Sequence, residues 1–185
     1  MSVILRVLTT ADVDLVRKWR NLDLSPWRTP HLITEEMQQD FYKSVVCNPK
    51  SSHRFWAVDE GSRLVGMVGL TNIQWENRLA ELNLIMAPDM MRYADQAVDL
   101  LLDQAFGYVG LETICGECYT CSSMLPFWCA LTHRYDAFVT NLPRRKYWQG
   151  HFRESLYFSI SRDKYDNYAL PKRVDEHQEG GGENG

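Results

Sequence analysis

Between Leu64 and Val109 the spacing of apolar residues changes from a period of two to a period of about 3.6, marking strand, loop and helix in turn. Leu79, Glu81, Asn83 and Ile85 alternate with Ala80, Leu82, Leu84 and Met86, the two faces of a strand over 79–86. Ala97, Val98, Leu101, Leu102, Ala105, Phe106 and Val109 recur at helical spacing, which predicts a helix over 94–109 with Gly110 as its C-cap. Before these, Leu64 to Ile73 reads as a strand whose Gly66 and Gly69 suggest a bulge or close backbone approach. Trp75-Glu76-Asn77-Arg78 is the turn between the two strands. A loop that runs from a strand into a helix N-terminus directs N–H groups outward and favours an anion.

The remaining segments fall on either side of this centre. Val3 to Leu8 alternates as a first strand, and Thr9 or Thr10 caps a helix over 11–20 with Val13, Val16 and Trp19 turned inward. After a turn-rich stretch at Asn21, Ser25-Pro26 and Thr29-Pro30, Thr34 opens a second helix whose apolar face is Met37, Phe41, Val45 and Val46. Asn48-Pro49 ends that helix. His53 to Asp59 is a strand, followed by a hairpin turn at Glu60-Gly61-Ser62. Thr113 to Tyr119 is the fifth strand. Ser122 or Ser123 caps a helix with Pro126 in its first turn, running through Phe127, Trp128 and Leu131. Ala137 to Thr140 and His151 to Arg162 pair antiparallel, joined by a connection over 141–150 longer than a tight hairpin. The order is β-α-α-β-β-β-α-β-α-β-β, an α/β (α+β) chain with no internal repeat. One domain covers 1–165, and a polar, disordered tail is expected over 166–185, ending EHQEGGGENG.

Composition narrows the function classes. A net charge of −4 argues against a general polyanion binder, and Arg144, Arg145 and Lys146 form the one candidate basic patch for nucleic acid. No run approaches the roughly 18 apolar residues of a membrane span. MSVILRVLTT lacks a signal-peptide layout, so a cytoplasmic protein is expected. Five cysteines, an odd number, do not read as a disulfide framework. Cys115, Cys118 and Cys121 have metal-like spacing, but on a strand Cys115 and Cys118 face opposite sides, and no metal is expected.

Several pieces, in order, carry a family resemblance. They are Trp19-Arg20-Asn21; Val65-Gly66-Met67-Val68-Gly69-Leu70; Asn77-Arg78-Leu79-Ala80-Glu81-Leu82; Ala97-Val98-Asp99-Leu100-Leu101-Leu102 with Ala105-Phe106; and Gly110-Leu111. Over residues 3–162 the chain resembles the GNAT N-acetyltransferase superfamily, and within it the branch of ribosomal-protein and amino-sugar-nucleotide acetyltransferases. The resemblance implies a GNAT fold: a mixed, mostly antiparallel central sheet, helices on both faces, and strands four and five splayed around acetyl-coenzyme A. It implies that the backbone of Leu84, Ile85 and Met86 holds the pantetheine arm and that Met91, Arg92, Tyr93 and Ala94 meet the phosphates. The phosphate loop of the family, Gln/Arg-x-x-Gly-x-Gly/Ala, aligns with Asp89 to Ala94; only Ala94 fits, and Arg92 stands at the key glycine. The tyrosine that protonates the leaving thiolate in the family aligns with Trp128.

Amine acetylation needs a neutral amine held near the thioester and a base within reach of its proton. Glu81, on the strand lining the implied cleft, is the candidate base, and Tyr135 is the candidate acid in place of Trp128. Trp56, Trp75, Glu76 and Asn83 are candidate acceptor contacts. Two readings stand. One is an acetyl-coenzyme-A-dependent N-acetyltransferase acting on a primary amine of a small molecule, nucleotide or peptide N-terminus. The other is a GNAT-fold domain that has lost acetyl transfer and binds a ligand or partner, or one that uses another acyl donor. Edge strands of such a sheet allow a homodimer.

Overall fold

The computed structural model describes residues 2–169. One seven-stranded sheet runs through them in the order β1-β2-β3-β4-β5-β7-β6. The strands are β1 (Val3–Val7), β2 (Arg54–Glu60), β3 (Arg63–Gln74), β4 (Leu79–Met86), β5 (Thr113–Tyr119), β6 (Phe138–Trp148) and β7 (His151–Ser161). Neighbours are antiparallel except β4 and β5, which are parallel because α3 crosses between them. The helices are α1 (Thr10–Arg20), α2 (Glu35–Phe41), α3 (Ala94–Leu102) and α4 (Leu125–Arg134). The expected mixed sheet with helices on both faces is the observed one.

The period-two pattern of the strands sorts the core into two layers. Val58, Val68, Leu70, Ala80 and Leu84 face α3, where Ala94, Ala97, Val98, Leu101 and Leu102 are buried against them. Ala57, Met67 and Ile85 face α1, whose Val13 and Val16 complete the smaller layer. Helix α1 starts as its sequence directs. Thr9 accepts from the Asp12 N–H and the Asp12 carboxylate accepts from the Thr9 N–H at 2.7 Å, a reciprocal cap. Thr34 caps α2 through the Met37 N–H at 3.2 Å.

Four expectations change. Helix α3 does not run evenly to 109: Asp103–Val109 continues it with wider, π-type turns, ending at Gly110, whose φ of 76° is the left-handed cap conformation. The serines before α4 do not cap it. Ser122 Oγ accepts from the Met124 N–H ahead of the helix, and Ser123 donates to Asp23. The connection expected over 141–150 is mostly strand, because β6 runs to Trp148 and turns tightly at Gln149 and Gly150, both with positive φ. Pro143 and Arg144 sit in a register shift between Leu142 and Lys146, which lets β6 carry a proline. Finally, 162–169 is helical, and Tyr165 and Ala169 are buried in the main core, so the start of the expected tail is ordered. The rest of that tail lies outside the described residues.

Candidate active site

Strands β4 and β5 pair over three residues only: Leu79 with Thr113, Ala80 with Ile114 and Glu81 with Cys115. Past Glu81, β4 stays with β3 as far as Met86, whereas β5 stays with β7 as far as Tyr119. A gap therefore opens between 82–86 and 116–119. The Ala87 N–H donates to the Val65 carbonyl at 2.8 Å, and the Glu81 carbonyl accepts from Thr71 Oγ1 at 3.3 Å. These bonds set the phase of the β3–β4 ladder. In an antiparallel ladder, alternate residues turn their main-chain groups to the other side. Leu82, Leu84 and Met86 are those residues, and their N–H and C=O groups face the gap. Among the described residues, buried Asn83 Oδ1 also has no hydrogen-bond partner. Such groups need partners, and amides on an extended ligand are of the right chemistry.

The loop after β4 leads from the gap into α3. Pro88 and Asp89, with φ of 62° at Asp89, form a turn closed by the Met90 N–H to the Ala87 carbonyl at 3.1 Å. The Tyr93 N–H donates to Met90 and the Ala94 N–H to Met91, so both are committed inside the 3-10 turn Met91–Tyr93. The N–H groups of Met91 and Arg92 find no acceptor among the described residues and stand open at the helix start. Arg92 is exposed; it donates to the Asp89 carbonyl at 3.0 Å and lies over the Tyr93 ring. Tyr93 is a correction to the phosphate-contact expectation. It is buried, and its hydroxyl donates to Glu60 at the end of β2, across β3 and away from the gap. The negative charge of Asp95 in the first turn of α3 is paired with Arg134 from α4, which also reaches Asp99.

On the α1 side of the sheet, Glu81 stands at the point where the strands part. Beside it on β5 is Glu117, whose side chain is 9% exposed and accepts from Arg145 Nε at 2.8 Å and Ser155 Oγ at 2.7 Å. Burial alone raises its pKa, but these bonds and the Arg145 and Arg28 charges bring it below the usual carboxylate range. Arg28 reaches over from the loop between α1 and α2, with Nη2 3.5 Å from Glu117 and 3.7 Å from Glu81. Contact with Tyr119 raises its pKa against the effect of burial, and both carboxylates add to the rise. Tyr157 on β7 is pushed up to about 12 by burial and by the neighbouring Cys115 thiol and carboxylates, so it stays protonated at neutral pH. His53 Nδ1 accepts from the Asn72 N–H at 3.3 Å; burial lowers its pKa against the pull of Glu81.

The loop carrying Arg28 is anchored. Lys146 is buried and donates to the Leu24, Ser25 and Trp27 carbonyls at 3.2, 2.7 and 2.8 Å. Trp27 Nε1 donates to the Arg20 and Asp23 carbonyls. The three residues of the candidate basic patch thus do separate work. Arg144 lies over Phe152, Arg145 pairs with Glu117, and Lys146 holds the loop.

Other sequence candidates fall elsewhere. Tyr135 is 1% exposed on the α3 side of the sheet, opposite Glu81, and its hydroxyl donates to Asp99. Burial first, and then that bond, raise its pKa, so it does not offer a proton to the gap. Trp128 stacks on Phe158 at 5.5 Å. Trp56 packs with the α3-side core, away from Glu81. Trp75 and Glu76 are exposed on the β3–β4 turn, at the closed end of the gap. Sequence reading missed Arg28, Glu117, Tyr157 and Arg134. Glu117 shares a strand face with Cys115 and is found once β5 is set beside β4. Arg28 sits in an irregular loop and leaves no periodic signal.

A family model of the acetyltransferase (GNAT) domain matches residues 2–121. The chain belongs to the GNAT acetyltransferase family. Membership carries acetyl transfer from acetyl-coenzyme A to an amine, and the parted strands with their free main-chain groups fit that co-substrate. No curated protein sequence matches the chain significantly. Among solved structures, a spermidine N-acetyltransferase from Vibrio cholerae in complex with CoA and spermine is similar. It has TM-score 0.78 and 20% identity, over 89% of this chain and 98% of that one. A spermidine/spermine N-acetyltransferase from the same organism, in complex with manganese ions, has TM-score 0.74 and 21% identity, over 90% and 96%. At this identity the likeness establishes a shared GNAT fold. These matches do not single out the ribosomal-protein or amino-sugar-nucleotide branch.

Proposed function

We propose that this GNAT domain acetylates a primary amine of a small molecule, with Glu81 as the base. The observation that carries this is the end of β4–β5 pairing at Glu81, which puts a carboxylate where the gap opens. The polyamine acetyltransferases among its structural neighbours support a small-molecule amine. The main-chain groups of Leu84 and Met86 hold the amide-bearing arm of acetyl-coenzyme A. The Met91 and Arg92 N–H groups and the Arg92 side chain meet its phosphates. The amine nitrogen takes the acetyl carbon as the carbon–sulfur bond breaks, giving one proton to Glu81, and the released sulfur takes a proton from solvent.

Calorimetric titration with acetyl-coenzyme A, followed by thiol release in the presence of an amine panel, tests this. Glu81→Gln is expected to lower kcat by about a hundredfold or more while acetyl-coenzyme A still binds. An unaltered kcat removes Glu81 from the role. Trp128 at the family's tyrosine position favours a second reading, a binding domain without transfer. Binding of acetyl-coenzyme A without thiol release from any amine would select it.

A further inference from the structure

The two carboxylates beside the gap are not equivalent. Glu117 is saturated: Oε1 accepts from Arg145 and Ser155, and Oε2 faces Arg145 Nη2 at 3.4 Å and Arg28 Nη2 at 3.5 Å. Glu81 is 36% exposed at its side chain and, among the described residues, its carboxylate accepts no hydrogen bond, while its main-chain carbonyl accepts from Thr71. The nearby cations divide in the same way. Lys146 is enclosed by three carbonyls and Arg145 is bound to Glu117. Arg28 is 62% exposed at its side chain and touches both carboxylates only at 3.5 Å or more, too long for a committed bidentate pair. At the mouth of the gap, then, one open carboxylate faces a guanidinium that rests against Tyr119 and is closed by neither acid.

That pairing selects for charge. An ammonium or amine meets Glu81, and a second ammonium on the same molecule meets Arg28 with the wrong sign. An anionic group there finds a planar, multidentate donor. The short Glu81–Arg28 separation requires amine and anion to lie a few bonds apart. Lys146 and Trp27 hold the loop under Arg28, so the guanidinium is presented from a fixed wall.

From this we infer that the acceptor is a small amine bearing an anionic group close to the reacting nitrogen, a carboxylate or a phosphate, with Arg28 as the residue that recognises the anion. The inference rests on the acetyl-transfer reading above.

The test is thiol release with matched acceptors that differ only in the anion: glycine against glycinamide, β-alanine against its amide, and phosphoethanolamine against ethanolamine, with spermidine included. The ratio of kcat/KM for the anionic member over its neutral counterpart is expected to exceed one, and the pair that shows it tells carboxylate from phosphate. Arg28→Gln lowers that ratio by about tenfold or more, and Arg28→Lys restores part of it. Arg28→Glu shifts preference toward spermidine. Thiol release that ignores the anion, or an Arg28→Gln change that scales both members equally, overturns the inference and leaves acetyl transfer standing. Absence of thiol release with every amine overturns the acetyl-transfer reading and the inference with it.

Discussion

A few side chains carry charge arrangements that can be measured singly. Arg6 binds Asp12 and Asp59 together, each at 2.6 Å, tying β1 to α1 and β2. The Arg6 hydrogen bond, acting against burial, holds the Asp12 carboxyl down at about 2, against an ordinary 3.8. A depressed carboxylate stabilises the fold above its unfolded pKa, and the contribution drains away as pH falls through its folded pKa. Asp12→Asn is thus expected to cost about 2 kcal/mol at neutral pH, and the difference from wild type should shrink as pH falls below the ordinary 3.8 and be lost below about 2. Urea midpoints at pH 7 and pH 3 check this; an equal loss at both would assign the effect to capping geometry instead. Arg92 is the second case. Its N–H and guanidinium stand at the start of α3, where the family uses glycine. Arg92→Glu is expected to weaken coenzyme A binding by about tenfold or more, read by calorimetry, and unchanged binding would discard the contact.

At the scale of elements, the decisive piece is β6 reaching across to the loop between α1 and α2. The side chain of Lys146 supplies three charge-assisted bonds to that loop. Lys146→Met should cost about 2–3 kcal/mol and raise KM for the acceptor more than it lowers kcat, because Arg28 rides on the same loop. A denaturation midpoint and a KM equal to wild type would show the loop held by other contacts. Elements with strong period were legible in advance: β4, the start of α3, and the Thr9 and Thr34 caps. Elements misjudged were those settled by distant partners. Ser123 went to Asp23 rather than to a cap, and Tyr135 went to Asp99. Strand β6 kept its path past Pro143 because β7 pairs with it on both sides of a register shift.

At the scale of the molecule, the gap exists because β5 has two possible neighbours and is held fully by one. All seven residues of β5 pair with β7, whereas three pair with β4. Close packing locks β5 to β7: a Cβ on Gly116 would lie 2.4 Å from the Phe158 ring, so glycine lets that ring lie flat on the strand. With β5 fixed there and β4 fixed to β3, the outer edge of β4 past Glu81 is left without a paired strand.

Local spacing determined most strands and helices, their order, and Glu81 as a carboxylate on the central strand; the family came from a resemblance in short pieces of sequence. Those properties depend on neighbours within a turn or a strand, where the 3.6- and two-residue periods act. Only the tertiary structure decided that the gap opens at Glu81, that Glu117 is already satisfied, and that Arg28 faces the gap while Tyr93 and Tyr135 do not. Each of these depends on contacts between segments tens of residues apart, and competition among distant partners leaves no mark on a periodic pattern.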